Sequence, residues 1–288
     1  MNAKEILKKF VPPFLLYGYH YFLAMLGAVA FGFPSKKLTI IGVTGTSGKS
    51  TTIDFITRIL EEDGSKVAST SSIRFKIGKN EWKNQLKMTM PGRFTMQKFL
   101  HQAVKEQCKY VILEVTSEGI KQFRHKFIQF DTAVFLNLTP EHIESHGGFE
   151  NYRAAKMKLF SSTKNVHIIN ADDENAEYFT KIQAKKKYFY GVKNKADVRA
   201  DNITFNKEHF EFTVFGTLFN MHLIGSFNVY NALAAITVGM HYGYSIDQCK
   251  KALEKVTGMP GRLEMVAKDP FWVVVDYAFT PEQLEASY

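Results

Sequence analysis

Only two cysteines occur in 288 residues, Cys108 and Cys249, and neither has a partner at disulfide or metal-ligand spacing. A disulfide scaffold is thereby excluded, and both thiols are expected to be buried in a reducing compartment. Internal repeats and low-complexity linkers are also missing, so neither a repeat array nor a disordered chain is expected. No dense basic stripe exists: the 37 Lys and Arg residues are scattered, and "AKKKY" (Ala184 to Tyr188) reads as a solvated face. No nucleic-acid partner is therefore expected, although the net charge of +9 suits some anionic ligand.

Charged side chains are absent altogether from Phe14 to Phe33, a stretch long enough to cross a bilayer. Lys8, Lys9, Lys36 and Lys37 flank both ends, so charge asymmetry gives no orientation. "AVA" (Ala28 to Ala30) could serve as a signal-peptidase site, but export would carry a nucleotide loop to where ATP is scarce. The Tyr and His residues in mid-segment favour a helix docked on the domain, or lying on a membrane surface, over a span. Residues 1–37 are set apart as this N-terminal helical segment.

What the chain does contain is ordinary globular material, 45% hydrophobic and 23% charged, enough for one large domain or two smaller ones. From Leu38 short β-rich runs alternate with amphipathic stretches, the pattern of a mostly parallel α/β sheet flanked by helices. Strands are expected at 38–44, 66–70, 109–115, 131–138, 166–170 and 271–277, nearly all apolar, as strands covered on both faces must be. Helices are expected between them: Ile53, Ile56, Ile59 and Leu60 share one face, and Phe94, Met96, Phe99, Leu100 and Val104 approximate another. Residues 186–224 alternate polar and apolar with turns between and predict a small inserted antiparallel sheet, after which residues 228–243 return to helix.

"IIGVTGTSGKSTT" (Ile40 to Thr52) carries the chemistry. An apolar strand runs into glycines and then into a helix beginning near Lys49, so backbone N–H groups and the helix dipole converge on one point. Lys49 would reach the β- and γ-phosphates of a nucleotide and the Ser50 hydroxyl would meet Mg²⁺. The general P-loop spacing is not met to the letter, because Val43 stands where its first glycine belongs. A bare glycine turn would explain the glycines but not a lysine followed by three hydroxyls. Glu114 closes the apolar run "KYVILEV"; a carboxylate there is costly to bury unless it meets a cation, which suits the second metal-ordering acid of a P-loop.

"GVTGTSGKST", "LEVTSEG", "NLTPEHIESHG", "YRAAK", "GSFNVYNALAA", "GMPGRLE" and "VVVDYAFTP" follow in this order over roughly residues 38–285. Together they resemble the ATP-binding central domain of the Mur ligases, most closely the UDP-N-acetylmuramoyl-tripeptide synthetases. The resemblance implies a cytoplasmic ligase, acting on the inner side of the membrane, that joins an amino acid to a UDP-N-acetylmuramoyl peptide through an acyl phosphate. It implies ATP contacts at Gly45, Thr46, Ser47, Gly48, Lys49, Ser50 and Thr51, adenine contacts at Asn228 and Asn231, a phosphate contact at Arg262 and a ribose contact at Asp276. Two Mg²⁺ ions would be held by Ser50, Glu114, His142 and Lys156, with Lys156 carbamylated; Lys49, Glu114, His142 and Lys156 would form the catalytic set. Thr89, Thr116 and Arg124 would touch the muramoyl substrate.

Plainer alternatives stand beside these roles. His142 and His146 could be a zinc pair, though no third ligand follows at a convincing distance. Lys156 could be a surface lysine, Asn228 and Asn231 a helix cap and a solvent residue, and "DENAEY" (Asp173 to Tyr178) an acidic first helical turn. The sequence departs from the family pattern at Phe279, where histidine is usual, and at Met90, where a second threonine is usual. It also has only about 37 residues before the loop and nothing resembling an amino-acid-binding C-terminal domain, so a cut-off synthetase is expected. A folylpolyglutamate- or poly-γ-glutamate-type ligase and a non-catalytic P-loop module at the membrane are the rival readings.

Overall fold

The computed structural model describes residues 12–86, 88–141, 143–278 and 283–285. His142 and Phe279 lie outside them. The helix α1 (Pro13–Ala30) leads through a short 3₁₀ turn (Pro34–Lys37) into β1 (Thr39–Thr44) and α2 (Lys49–Glu61). Then come β2 (Val67–Thr70), β3 (Arg74–Ile77), β4 (Asn80–Lys83), α3 (Arg93–Lys105), β5 (Tyr110–Glu114), α4 (Ser117–Lys121) and β6 (Thr132–Phe135). After α5 (Ile143–His146) follow α6 (Phe149–Ser162), β7 (Val166–Asn170), α7 (Ala176–Thr180), β8 (Lys186–Gly191) and β9 (Val198–Arg199). The rest is β10 (Asp201–Phe205), β11 (Phe210–Val214), β12 (Thr217–Met221), α8 (Phe227–His241), α9 (Ile246–Leu253), β13 (Glu264–Ala267) and β14 (Val273–Val275).

One sheet runs in the order β4-β3-β2-β5-β1-β6-β7-β8-β9. It is parallel from β2 to β9, and only the β3 and β4 hairpin runs against it. Successive residues of β1 face opposite ways. Ile41 and Val43 join Ile53, Ile56 and Leu233 on the side of α2 and α8. Ile40 joins Met96, Leu100, Leu159 and Phe160 on the side of α3 and α6. Both faces are therefore covered, which is why these strands read as unbroken apolar runs. β1 lies at the centre, and the loop leaving its C-terminal end is where such sheets place their ligands.

Three expectations change. The antiparallel insertion is confined to β10, β11 and β12, because Lys186–Gly191 pairs in parallel with β7 and Val198–Arg199 with β8. The polar–apolar alternation of β8 reflects its partial cover near the sheet's edge rather than a meander. The run at 271–277 does not join the large sheet either; Val273–Val275 pairs antiparallel with Glu264–Ala267 in a separate ribbon. Finally, β6 ends at Phe135, so Asn137 and Leu138 lie in a loop rather than a strand.

Both thiols are buried, Cys249 fully, and burial pushes Cys249 up to about 12. Among the described residues no helix is long and apolar enough to cross a membrane.

Candidate functional site

β1 delivers Gly45 and the following loop to the first turn of α2. Gly48 adopts φ 77°, and a Cβ there would meet Asn231 Oδ1 at 2.3 Å, so both backbone and space demand glycine. Lys49 turns back over the loop and donates to Gly45 O (2.9 Å) and Thr46 O (2.7 Å). From the opposite side Lys156, on α6, donates to the same Gly45 carbonyl at 2.7 Å. Two lysine side chains thus meet at one oxygen. Lys156 is only 2% exposed, which removes the surface-lysine alternative.

The electrostatics follow from this crowding. Burial, then the neighbouring Lys49, holds Lys156 well below the ordinary lysine value, against the opposing pull of Glu141 and Glu114. Burial also lowers Lys49, with Glu114 and Glu141 working the other way. Glu141, itself buried, is the acid that sequence reasoning did not single out; it directly precedes His142, within the quoted "LTPEHIESHGG".

Glu114 ends β5 beside the loop. Its Oε2 accepts from the Ser50 hydroxyl at 2.8 Å and from the Ser72 backbone N–H at 2.8 Å, while the Ser50 and Ser72 hydroxyls lie 2.7 Å apart. Three oxygen-bearing groups therefore cluster where the triphosphate of a P-loop ligand would lie. Among the described residues no group of three or more His, Cys, Asp or Glu could hold a metal ion.

The remaining expected residues divide. Gly45 through Thr51, Asn231, Arg262, Asp276, Thr89 and Thr116 line one cavity of ≈ 1160 Å³ with Glu114 and Lys156. That is ample for a nucleotide and part of a second substrate. Arg262 donates to Tyr277 O at 2.9 Å, and Asp276 accepts from Leu263 N at 3.1 Å. Thr116 Oγ1 caps α4 by accepting from Gly119 N at 3.0 Å. Asn228 and Arg124 stand behind the wall. Asn228 accepts from Asn231 Nδ2 at 2.9 Å and donates to Ile224 O, so it orients Asn231 rather than facing the cavity. Arg124 donates to Met90 O and to Gln122 Oε1, bracing the Thr89–Pro91 turn. Met90 is fully buried, and a Cβ on Gly119 would come within 2.4 Å of its sulfur. It fills space against Gly119 rather than standing as a failed threonine.

Asn137 was not anticipated, although it sits in the quoted "NLTPEHIESHG". Its Oδ1 accepts from the N–H groups of Thr46 and Ser47 at 2.9 Å each, and its Nδ2 donates to Ser47 O. Tyr152 adds a contact from its hydroxyl to Thr46 Oγ1 at 3.1 Å. Asp172 and Asp173 extend the same ring. Asp172 accepts from Val192, Lys193 and Asn194 N–H groups and the Tyr230 hydroxyl. Burial would raise it, but those bonds outweigh burial and hold it below its usual range. Asp173 accepts from Leu138 N and Asn175 N, so "DENAEY" begins with a loop clamp rather than a merely acidic turn. Asn137→Ala is expected to cost about 1–3 kcal/mol of stability and to loosen the phosphate loop, seen as a lower thermal midpoint together with weaker nucleotide binding.

A strand, a glycine loop and a helix with a strand-end carboxylate against the first-turn serine define a P-loop α/β nucleotide-binding protein. A family model of the Mur ligase middle domain matches residues 43–239. The chain belongs to that family. It is 38% identical over 272 residues to a UDP-N-acetylmuramoyl-L-alanyl-D-glutamate–2,6-diaminopimelate ligase of Syntrophomonas wolfei, an alignment covering 91% of this chain and 55% of that protein. It is 34% identical over 284 residues to a UDP-N-acetylmuramyl-tripeptide synthetase of Roseiflexus sp., covering 91% and 56% respectively. Among solved structures, a diaminopimelate ligase of the same description superposes with a TM-score of 0.73 at 30% identity, over 86% of this chain and 52% of that one. The chain spans about half the length of the curated relatives it matches.

Proposed function

We propose that this chain is the ATP-handling part of an acid–amino acid ligase of peptidoglycan precursor synthesis, working in the cytoplasm. The observation that carries the reading is the meeting of Lys49 and Lys156 at Gly45 O, next to the Ser50–Glu114 pair, in one cavity. A nucleotide loop alone needs no second buried lysine. In the reaction, a carboxylate of a UDP-N-acetylmuramoyl peptide attacks the γ-phosphorus of ATP, forming an acyl phosphate and releasing ADP. The amine of the incoming amino acid then attacks the activated carbonyl, inorganic phosphate leaves, an amide forms and the amine's proton is lost. Lys49 and the loop N–H groups offset charge on the transferred phosphoryl group, and the cavity walls orient the two reactants.

Ser50, Glu114 and Ser72 fit Mg²⁺, since hard oxygen donors beside phosphate oxygens are what that ion takes. When bound, Mg²⁺ would neutralise phosphate charge. A second ion is assigned to Lys156 and His142. Lys156 fits carbamylation: its burial and its neighbour Lys49 disfavour the ammonium form, leaving a nucleophilic amine. That amine adds to CO₂, a proton is released, and the resulting carbamate anion faces a lysine instead of repelling one.

Hydroxylamine trapping tests this reading. With MgATP and a UDP-N-acetylmuramoyl dipeptide, the purified chain is expected to yield the hydroxamate of that acceptor. Hydroxamate from folate or a glutamyl acceptor alone would transfer the chain to the rival ligases. No hydroxamate from any carboxylate, with ATP still bound, would leave a nucleotide-binding module.

A further inference from the structure

α1 is mounted inside out. The residues it turns toward the domain are small: Ala24 and Ala28 are buried, and a side chain at Gly27 would meet Arg93 O, Phe94 Cα and Gln97 Cγ at 3.6 Å. This face lies closely on α3, with Tyr17 and Tyr21 edge-on against Phe123. Its large apolar residues point outward. Leu15, Tyr19, Phe22, Leu26 and Val29 recur at alternating steps of four and three, forming one continuous stripe. Each is 42–57% exposed. A single exposed leucine is unremarkable, but an uncharged stripe along a helix of about 27 Å marks an interaction surface.

Charge selects the occupant. Residues 1–37 contain five lysines against one glutamate, with Lys4, Lys8 and Lys9 before the helix and Lys36 and Lys37 after it. Lys36 and Lys37 are exposed, as is Lys98, one turn beyond Phe94 on the adjoining helix. A second copy pairing through the stripe would set lysine against lysine in either direction, because both ends of α1 are basic. An anionic lipid surface takes the opposite sign at both ends, while its acyl boundary receives the apolar stripe. The helix is too short of apolar character to span, so it would lie in the plane of the interface.

We propose that α1 seats the domain on an anionic membrane surface, through Leu15, Tyr19, Phe22, Leu26 and Val29 and the lysines at its ends. Nothing in this depends on the ligase reaction. Vesicle flotation tests it, using vesicles of phosphatidylcholine alone or mixed with phosphatidylglycerol. The chain is expected to float with the mixed vesicles, and to release them as salt shortens the screening length to about 3 Å. Leu15→Asn/Phe22→Asn/Leu26→Asn should abolish flotation, and Lys36→Glu/Lys37→Glu should weaken it at least about tenfold. Both variants should still bind MgATP as wild type does, which shows that they fold. Failure to float with the mixed vesicles overturns the proposal. So does flotation that is indifferent to phosphatidylglycerol and salt. A concentration-dependent dimer in sedimentation without lipid, lost in the triple variant, would assign the face to a second copy instead.

Discussion

Lys49→Ala is expected to weaken MgATP binding by about 3 kcal/mol, roughly a hundredfold in Kd, without unfolding the domain. The lysine sits at the focus of the loop, its ammonium anchored on Gly45 O and Thr46 O, at the N-terminus of α2. An anion placed there loses a charge-assisted hydrogen bond when the side chain is truncated, while the loop carbonyls can turn to water. The loop itself keeps its bonds to Asn137, so the thermal midpoint should change far less than the affinity. Calorimetric titration of wild type and variant separates the two. A wild-type chain that evolves no heat with MgATP would refute the nucleotide site altogether.

Lys156 carries the second large effect. With ¹³C-bicarbonate present, NMR should show a carbamate carbon in the wild type and none in Lys156→Met, which should lose at least about a hundredfold in acyl-phosphate formation. An unmodified amine at saturating bicarbonate would sink the carbamate. The same burial makes a stability prediction whose sign can be worked out without CO₂. The folded state holds Lys156 well below 10.5, so over the interval beneath 10.5 the unfolded chain binds more protons than the folded one. Stability therefore rises with pH across that interval. Lys156→Met removes the term and should flatten the rise, read as thermal midpoints against pH in bicarbonate-free buffer.

Much of this site could be read from residue types alone, because the chemistry restricts them. Few roles other than phosphate binding call for glycines followed by Lys49 and hydroxyls, and a glutamate that ends an apolar strand must find a partner. Glu114 finds Ser50. What escaped reading depends on tertiary neighbours. Asn137 looks like any polar loop residue until β6 stops at Phe135 and brings its amide to the phosphate loop. Arg124 and Asn228 have the right chemistry for ligand contact, but each spends its donors on the protein, on Met90 and Ile224. Met90 appeared to be a lost hydrogen bond and is a packing residue, a distinction visible only once Gly119 is found beneath it.

The fold shows the same division. The central strands were legible because both their faces are covered. β8 was misassigned because a strand near a sheet edge, half covered, alternates as an antiparallel strand does. "FWVVVDY" has the apolar content of a buried strand, yet Phe271 is 68% exposed and Trp272 43%, so composition misplaced it.

That ribbon has a bearing on heat. Arg262 and Asp276, which form the far side of the cavity, hang on two strands bonded only to each other, and such a pair is marginal by itself. Half of the binding cleft thus rests on the strongest part of the molecule and half on the weakest. On warming, ligand affinity should fade while the central sheet is still intact, and a bound nucleotide, by bridging the two halves, should postpone that first loss.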